Sequence, residues 1–274
     1  MTRETAQIRA EAFLHRLPNA LLRKHVRITV VGCGGTGGSV AMGLPYLHQS
    51  MLAWGHPHGL DVTLVDGDRV SPTNCVRQPF SESDIGLYKA TVLINRINLF
   101  WGLRWKAAPQ FLDESWGRET DILIGCVDSR RARMMMKESK AHRNCFYILD
   151  IGNNSDTGQF ILGQPQNVKN KRSPVRLRTA AELFPELIDS SLDLKDVLPS
   201  CSALESLMRQ EPFINQTLAN QALALLAKLF RYGSLAHHGC FLNLQRGSMT
   251  PLFVDPQTWK RMMRANKRTV RKSR

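Results

Sequence analysis

The stretch "VRITVVGCGGTGG", residues 26 to 38, constrains the fold more than any other part of the chain. An apolar, β-rich run stops on a cluster of glycines and continues into "SVAMGLPYLHQSMLAW", a helix-like sequence interrupted at Pro45. That order is the start of a β-α-β unit. Gly32, Gly34 and Gly37 have the G-x-G-x-x-G spacing, with Gly35 beside them. Between a strand and a helix this motif serves an anion: the glycines allow a tight turn and close backbone approach, and the amides at the helix start carry partial positive charge. It predicts a nucleotide site without choosing among NAD, FAD, a methyl donor and ATP.

The chain then alternates. After a loop at "GHPHG" (55 to 59), "LDVTLVDGD" reads as a second strand, and further strands are expected at 103–108, 121–128 and 145–152. Helical patterns lie between them, at 83–101 with Ala90, Leu93, Ile94, Ile97 and Phe100 at three and four spacing, and at 129–143. Strands alternating with helices imply an α/β, Rossmann-like doubly wound, mostly parallel sheet with helices on both faces. "GQFILGQP" reads as one more strand, and residues 165–200 form a polar, proline-containing crossover segment. From Pro212 a helix carries Ile214, Leu218, Leu225 and Leu229 along one face. "CFLNLQRGSMTPLFVD" reads as a C-terminal antiparallel hairpin about Gly247 that extends the sheet. The expected organisation is one domain over 1–259, opened by an N-terminal helical arm (1–25) and followed by a basic tail at 260–274 expected to be disordered.

A chain of 274 residues with 43% hydrophobic content can build a sizeable core. No apolar stretch approaches the ~20 residues of a membrane helix, and the N-terminus has no continuous apolar h-region, so a cytoplasmic address without membrane contact is expected. The six cysteines include no C-x-x-C pair, which argues against a zinc knuckle or a disulfide framework. More than half of the formal charge of +14 sits in "KRMMRANKRTVRKSR", which holds eight Lys or Arg and no acid. A solvated appendage and nonspecific attraction to nucleic acid or an acidic partner both stay open. His56 with His58, and His237 with His238, read as solvated loop side chains rather than metal ligands.

"VDGDRVSPTNCVRQPF", residues 65 to 80, narrows the nucleotide. Asp66 ends the second strand where a ribose hydroxyl is accepted, with Asp68 close behind. A dehydrogenase has no phosphate left to neutralise at this point, yet Asn74, Arg77, Gln78 and then Lys89 bring amides and two positive charges to the same side of the sheet. Such a set suits a triphosphate whose α-phosphorus is attacked, because charge builds on its oxygens and on the departing pyrophosphate. Asp128, at the carboxyl end of "DILIGCVD", is placed to hold magnesium. These residues point to nucleotidyl transfer. A NAD(P)-dependent oxidoreductase leaves Arg77, Lys89 and Asp128 unexplained, and a non-catalytic nucleotide-binding scaffold of a plasmid or mobile-element complex is the reading from another class.

"GCGGTGG", "DGDRVSPTNCVRQ", "GLYK" and "CVDSRRAR", in that order over about residues 26 to 160, resemble the ThiF/MoeB/ubiquitin-activating enzyme superfamily. Within it, "SCSALESLMRQEPFINQTLA" (200 to 219) looks like the ThiF-type member of PRTRC cassettes found on mobile genetic elements. The resemblance implies ATP- and magnesium-dependent adenylation of the C-terminal carboxylate of a ubiquitin-like, β-grasp protein ending in glycine. At matching positions Gly32, Gly34 and Gly37 would hold the nucleotide, Asp66 its ribose, Asn74, Arg77 and Lys89 the phosphates, and Asp128 the metal. It further implies a homodimer, and conjugating-enzyme-like and metalloprotease partners. The paired C-x-x-C zinc ligands of relatives are absent, so no zinc is expected. An N-terminal arginine reaching across a dimer has no motif match, which leaves Arg9, Arg16 and Arg23 open. Cys201 stands where relatives carry an acyl-accepting thiol, at an expected helix start that would lower its pKa. Both that role and a small buried packing residue remain open.

Overall fold

The computed structural model describes residues 13–116, 119–192 and 211–272. Its centre is an eight-stranded sheet built from β1 (Val26–Val31), β2 (Leu60–Val65), β3 (Lys106–Ala108), β4 (Ile122–Gly125), β5 (Tyr147–Asn153), β6 (Thr157–Gly163), β7 (His237–Asn243) and β8 (Ser248–Phe253). The spatial order is β8-β7-β6-β5-β4-β1-β2-β3. β3, β2, β1, β4 and β5 run parallel, and β5 through β8 are joined antiparallel. The mixed sheet and its antiparallel C-terminal extension match the sequence expectation.

Helices cover both faces. α1 (Gly35–Ala53), α2 (Lys89–Trp101) and α5 (Ile214–Tyr232) enclose the main core with one side of the sheet, while α3 (Arg130–Glu138) and α4 (Lys140–Asn144) lie over the other. The strands show the division residue by residue. Val30, Ile122 and Ile124 belong to the main core, whereas Val31 and Leu123 join Met136, Ala141 and Cys145 in the smaller one. Successive side chains of a strand point to opposite faces, so a run with no polar alternation requires cover on both. α1 and α5 pack on each other, and Leu44, Leu47, Leu223 and Leu226 on these helices are buried in the main core. Full burial of such side chains contributes roughly 1.5–3 kcal/mol apiece.

Several elements depart from expectation. α1 runs unbroken through Pro45, which is buried in the helix; one missing backbone donor costs less than the packing of a 19-residue helix contributes. The pattern at 83–101 yields a helix only from Lys89, because Gly86 takes a left-handed φ of 87° and Ser81 and Asp84 close a separate turn at Glu82–Asp84. Phe100, expected on the buried face, is 81% exposed. The 129–143 helix divides at Ser139 into α3 and α4. α5 starts at Ile214, two residues past Pro212.

The N-terminal arm is not helical over its described part. His15–Arg16 pairs antiparallel with Ser234–Leu235, and Asn19–Leu22 is a single 3-10 turn after Pro18. Buried His15 anchors this segment, with Nε2 2.6 Å from the Tyr147 hydroxyl and Nδ1 3.0 Å from the Val175 carbonyl. The basic C-terminal stretch, expected as a disordered tail from residue 260, is instead part of a helix, α6 (Pro256–Lys272), because Trp259, Met262 and Met263 give it an apolar side to pack. His238, expected in a solvated loop, is a fully buried β7 residue whose Nδ1 donates to the Leu162 carbonyl at 2.7 Å. His56 fastens its loop, with Nε2 2.8 Å from the Leu21 carbonyl. Among the described residues no helix is long and apolar enough to cross a membrane.

Candidate functional site

The chain builds β1, β2 and β3 outward in one direction, then returns to place β4 on the other side of β1. The loops leaving the carboxyl ends of β1 and β4 therefore diverge, and a crevice opens between them where ligands bind in such sheets. An open cleft of about 1670 Å³ occupies this place.

The glycine loop forms its floor. Gly32 follows β1 with φ 87°, and a Cβ there would stand 2.6 Å from the Cys126 carbonyl oxygen at the end of β4. Gly37 lies in the first turn of α1 against the Gly32 carbonyl, where a Cβ has no room. Both close approaches exist because the loop crosses between two parallel strands, and they leave the amino end of α1 aimed into the cleft. No side chain caps α1, so its first amides are left for an anion.

Asp66 ends β2 and is buried. Its Oδ2 accepts from the Cys33 amide at 2.5 Å and its Oδ1 from the Asp68 amide at 2.7 Å. Burial raises its pKa despite these two bonds and nearby Lys89, which all lower it. The carboxylate thus ties the glycine loop to the end of β2, and each oxygen keeps a second lone pair for a ligand hydroxyl.

Four more sequence-derived residues line the same cleft: Asn74, Arg77, Gln78 and Lys89. Ser71 and Asn74 close a capping box, with Asn74 Oδ1 accepting from the Ser71 amide at 2.9 Å, which fixes the Pro72–Val76 turn and hence Arg77 and Gln78 after it. Gln78 Oε1 is buried without a hydrogen-bond partner, an acceptor suited to a ligand N–H or O–H donor. Lys89 opens α2 with its side chain largely buried, its Nζ 3.2 Å from Asp68 Oδ2. Asp128 is exposed on the opposite wall, just past β4. Gly32, Gly34, Gly35, Asp66, Asp68 and all five of these side chains border one space, while Gly37 supports the loop from behind. Cys201 and Arg9 lie outside the described residues, and Arg16 and Arg23 are exposed away from the cleft. The other cysteines of interest are packing thiols: burial raises the pKa of Cys33 and Cys126 and pushes Cys145 up to about 12.

The sequence did not point to the far half of the cleft. Arg130, Arg131 and Arg133 line it, although "CVDSRRAR" contains them; their position at the amino end of α3, across from the glycine loop, was the readable signal. Arg133 is held from below by Asp150, Nε to Oδ2 3.4 Å, a buried ion pair too poorly aligned for a hydrogen bond, since that Nε has no partner of its own. Asn215 reaches the site from α5, accepting from Thr36 Oγ1 at 2.8 Å, with Asn153 Oδ1 sharing the same hydroxyl proton at 3.2 Å. Nothing local in sequence announces that contact, because Thr36 and Asn215 are 179 residues apart along the chain, and only the packing of α5 on α1 joins them.

A profile of the ThiF family matches residues 6–171. The chain belongs to the ThiF family. No curated protein matches it. Among solved structures, PaaA is similar with a TM-score of 0.52 at 14% identity, over 84% of this chain and 64% of that one. Escherichia coli MccB with ATP gives 0.50 at 18% identity over the same shares. MccB with AMPCPP and selenomethionine MccA gives 0.51 at 17%, again over 84% and 64%. At these identities the likeness is one of fold, and this ThiF-family chain spans 64% of the length of those proteins.

Proposed function

We propose that the chain is an ATP-dependent adenylating enzyme acting on the C-terminal carboxylate of a ubiquitin-like protein. The observation that carries this reading is the convergence of Arg77, Lys89 and Asp128, from three separate elements, on the space in front of the glycine loop. A dinucleotide needs none of the three there. The MccB structures with ATP, and with AMPCPP and MccA, support the reading by fold, and the 200–219 stretch favours the PRTRC branch of the family.

In this reading the amides of the glycine loop and α1 hold phosphate, Asp66 accepts the ribose hydroxyls, and Gln78 Oε1 takes a ligand donor. A carboxylate oxygen of the partner attacks the α-phosphorus, the bond to the bridging oxygen breaks, and pyrophosphate leaves with that electron pair. No general base is required, because the attacking carboxylate is already ionised at neutral pH. Arg77 and Lys89 stabilise the charge that develops on the phosphate oxygens, so catalysis is positioning plus electrostatics. Arg133, fixed by Asp150, borders the same cleft as these residues.

Magnesium fits this residue set. Asp128 presents an exposed carboxylate to the cleft, and among the described residues no three His, Cys, Asp or Glu side chains converge. A magnesium ion uses one or two carboxylates together with phosphate oxygens and water, and when bound it neutralises phosphate charge. Asp128 is the residue that would hold it.

The test is exchange of labelled pyrophosphate into ATP with a candidate ubiquitin-like partner. Exchange in the wild type that is abolished in Asp128→Ala and restored by no partner lacking its terminal carboxylate is the expected result. Absence of exchange in the wild type with any small β-grasp partner encoded beside it would contradict the proposal. Cys201→Ala, which should retain exchange, separates adenylation from any later thiol step: loss of a thiol-sensitive conjugate would assign Cys201 the acyl group.

A further inference from the structure

The C-terminal helix α6 is divided by charge along its length. It is firmly rooted: Asp255 Oδ1 accepts from the Gln257 amide at 2.8 Å and the Thr258 amide at 3.3 Å, and Oδ2 from Thr258 Oγ1 at 2.7 Å. Trp259 is buried, edge-on to His238 at 5.0 Å between ring centroids, and Met262 and Met263 pack on the main core. The other side carries Lys260, Arg261 and Arg264, all exposed. At 3.6 residues per turn, positions 260, 261, 264, 267, 268, 271 and 272 fall within an arc of about 140° of the helix axis. Every one of them is Lys or Arg, and no acid occurs between Pro256 and the C-terminus. The helix continues to Lys272, so positions 260 to 272 span about 18 Å at 1.5 Å per residue.

We propose that this face of α6 binds nucleic acid, engaging the phosphate backbone without reading sequence. Like charges at three and four spacing repel each other by a few tenths of a kcal/mol per pair, a cost that an anion lying along the face relieves; within the protein Arg261 also donates to Thr258 Oγ1 at 3.0 Å. This span opposes a duplex that presents about one negative charge per 1.7 Å of axis. Four of the seven cations are arginine, whose planar guanidinium matches phosphate oxygens in pairs. A bilayer surface is the weaker match. An interfacial helix needs its apolar side for lipid, and here Trp259, Met262 and Met263 spend that side on the protein core. The inference is independent of the adenylation reading, since none of these residues borders the cleft.

Fluorescence anisotropy of a labelled random-sequence duplex with the full chain, titrated over a salt series, tests it. Seven phosphate contacts give a slope of log affinity against log salt of about −6, and Lys260→Gln/Arg261→Gln/Arg264→Gln should make it shallower by about 2.7 and weaken binding roughly tenfold or more. Circular dichroism establishes that the triple variant keeps its helix; should it not, Arg264→Glu alone, at an exposed position, should still flatten the slope by about 1. No duplex binding at low salt, a slope unchanged in these variants, or tighter binding to phosphatidylglycerol vesicles or to polyglutamate than to the duplex would overturn the proposal.

Discussion

A single methyl group decides whether the glycine loop can form. A Cβ at Gly37 would fall against the Gly32 carbonyl, with Cys126 Cβ at 3.2 Å behind it, so the loop must move to accept one. Overpacking of this kind costs about 1–3 kcal/mol. Gly37→Ala is accordingly expected to lower Tm and to weaken nucleotide binding roughly tenfold, since 1.4 kcal/mol is a factor of ten; binding at wild-type strength would show that the loop tolerates displacement. Asp150 is a sharper case. Its partner Arg133 has a side chain only 9% exposed, and neutralising the acid strands a buried guanidinium. Losing one member of a buried pair costs about 3–5 kcal/mol. Asp150→Asn should therefore unfold at clearly lower denaturant concentration, while Asp150→Asn/Arg133→Met should recover most of the loss in a double-mutant cycle. The placement of the glycines, Asp66 and Asp128 beside the cleft was legible in the sequence because each follows a strand end, and that of Lys89 because it comes soon after the donor-rich loop that follows β2. Asp150 was not, because a carboxylate inside the apolar run "YILDIG" acquires its meaning only from an arginine on a helix laid across it.

Among elements, the breaks were harder to read than the elements themselves. The apolar runs of β1, β2, β4 and β5 mark strands buried on both faces, and the alternation of strand with helix sets their parallel order. The division of α3 from α4 depends on one hydroxyl: Ser139 Oγ donates to the Met136 carbonyl at 2.6 Å and accepts from the His142 amide at 3.2 Å, ending one helix and capping the next. A serine in a helical pattern carries no mark of this choice. Because Ser139 is fully buried, Ser139→Ala should cost about 1 kcal/mol as a lost cap, measurable by urea unfolding; an unchanged midpoint would mean that the chain turns there for another reason. The crossover segment shows similar local fixation. Glu182 accepts from Arg176 at 2.6 Å and 3.0 Å and from the Thr179 amide at 3.0 Å, which holds Phe184, Glu186 and Leu187 on the cleft wall.

For the whole molecule, the order of strands determines where chemistry can occur, and the charge states of buried groups determine when the fold persists. Burial lowers the pKa of His142 and His238 to about 4, with Lys137 adding to the effect at His142. Unfolded histidine takes a proton near ~6.5, so between that pH and about 4 protons favour the unfolded chain, and stability falls as pH falls. At pH 5 each contributes a loss on the order of 2 kcal/mol relative to pH 7. Asp66 and Asp150, whose pKa burial raises, act in the opposite sense and offset part of it. His142→Gln should reduce the fall in Tm between pH 7 and pH 5, and an identical fall would contradict this assignment. The central claim is that the crevice between β1 and β4 is built for a triphosphate. Calorimetric titration of wild type and Lys89→Ala with ATP, AMP and NAD tests it most directly. The account requires ATP to bind more tightly than NAD, and the variant to lose affinity for ATP while keeping it for AMP. Preference for the dinucleotide, or equal losses for ATP and AMP, would contradict it.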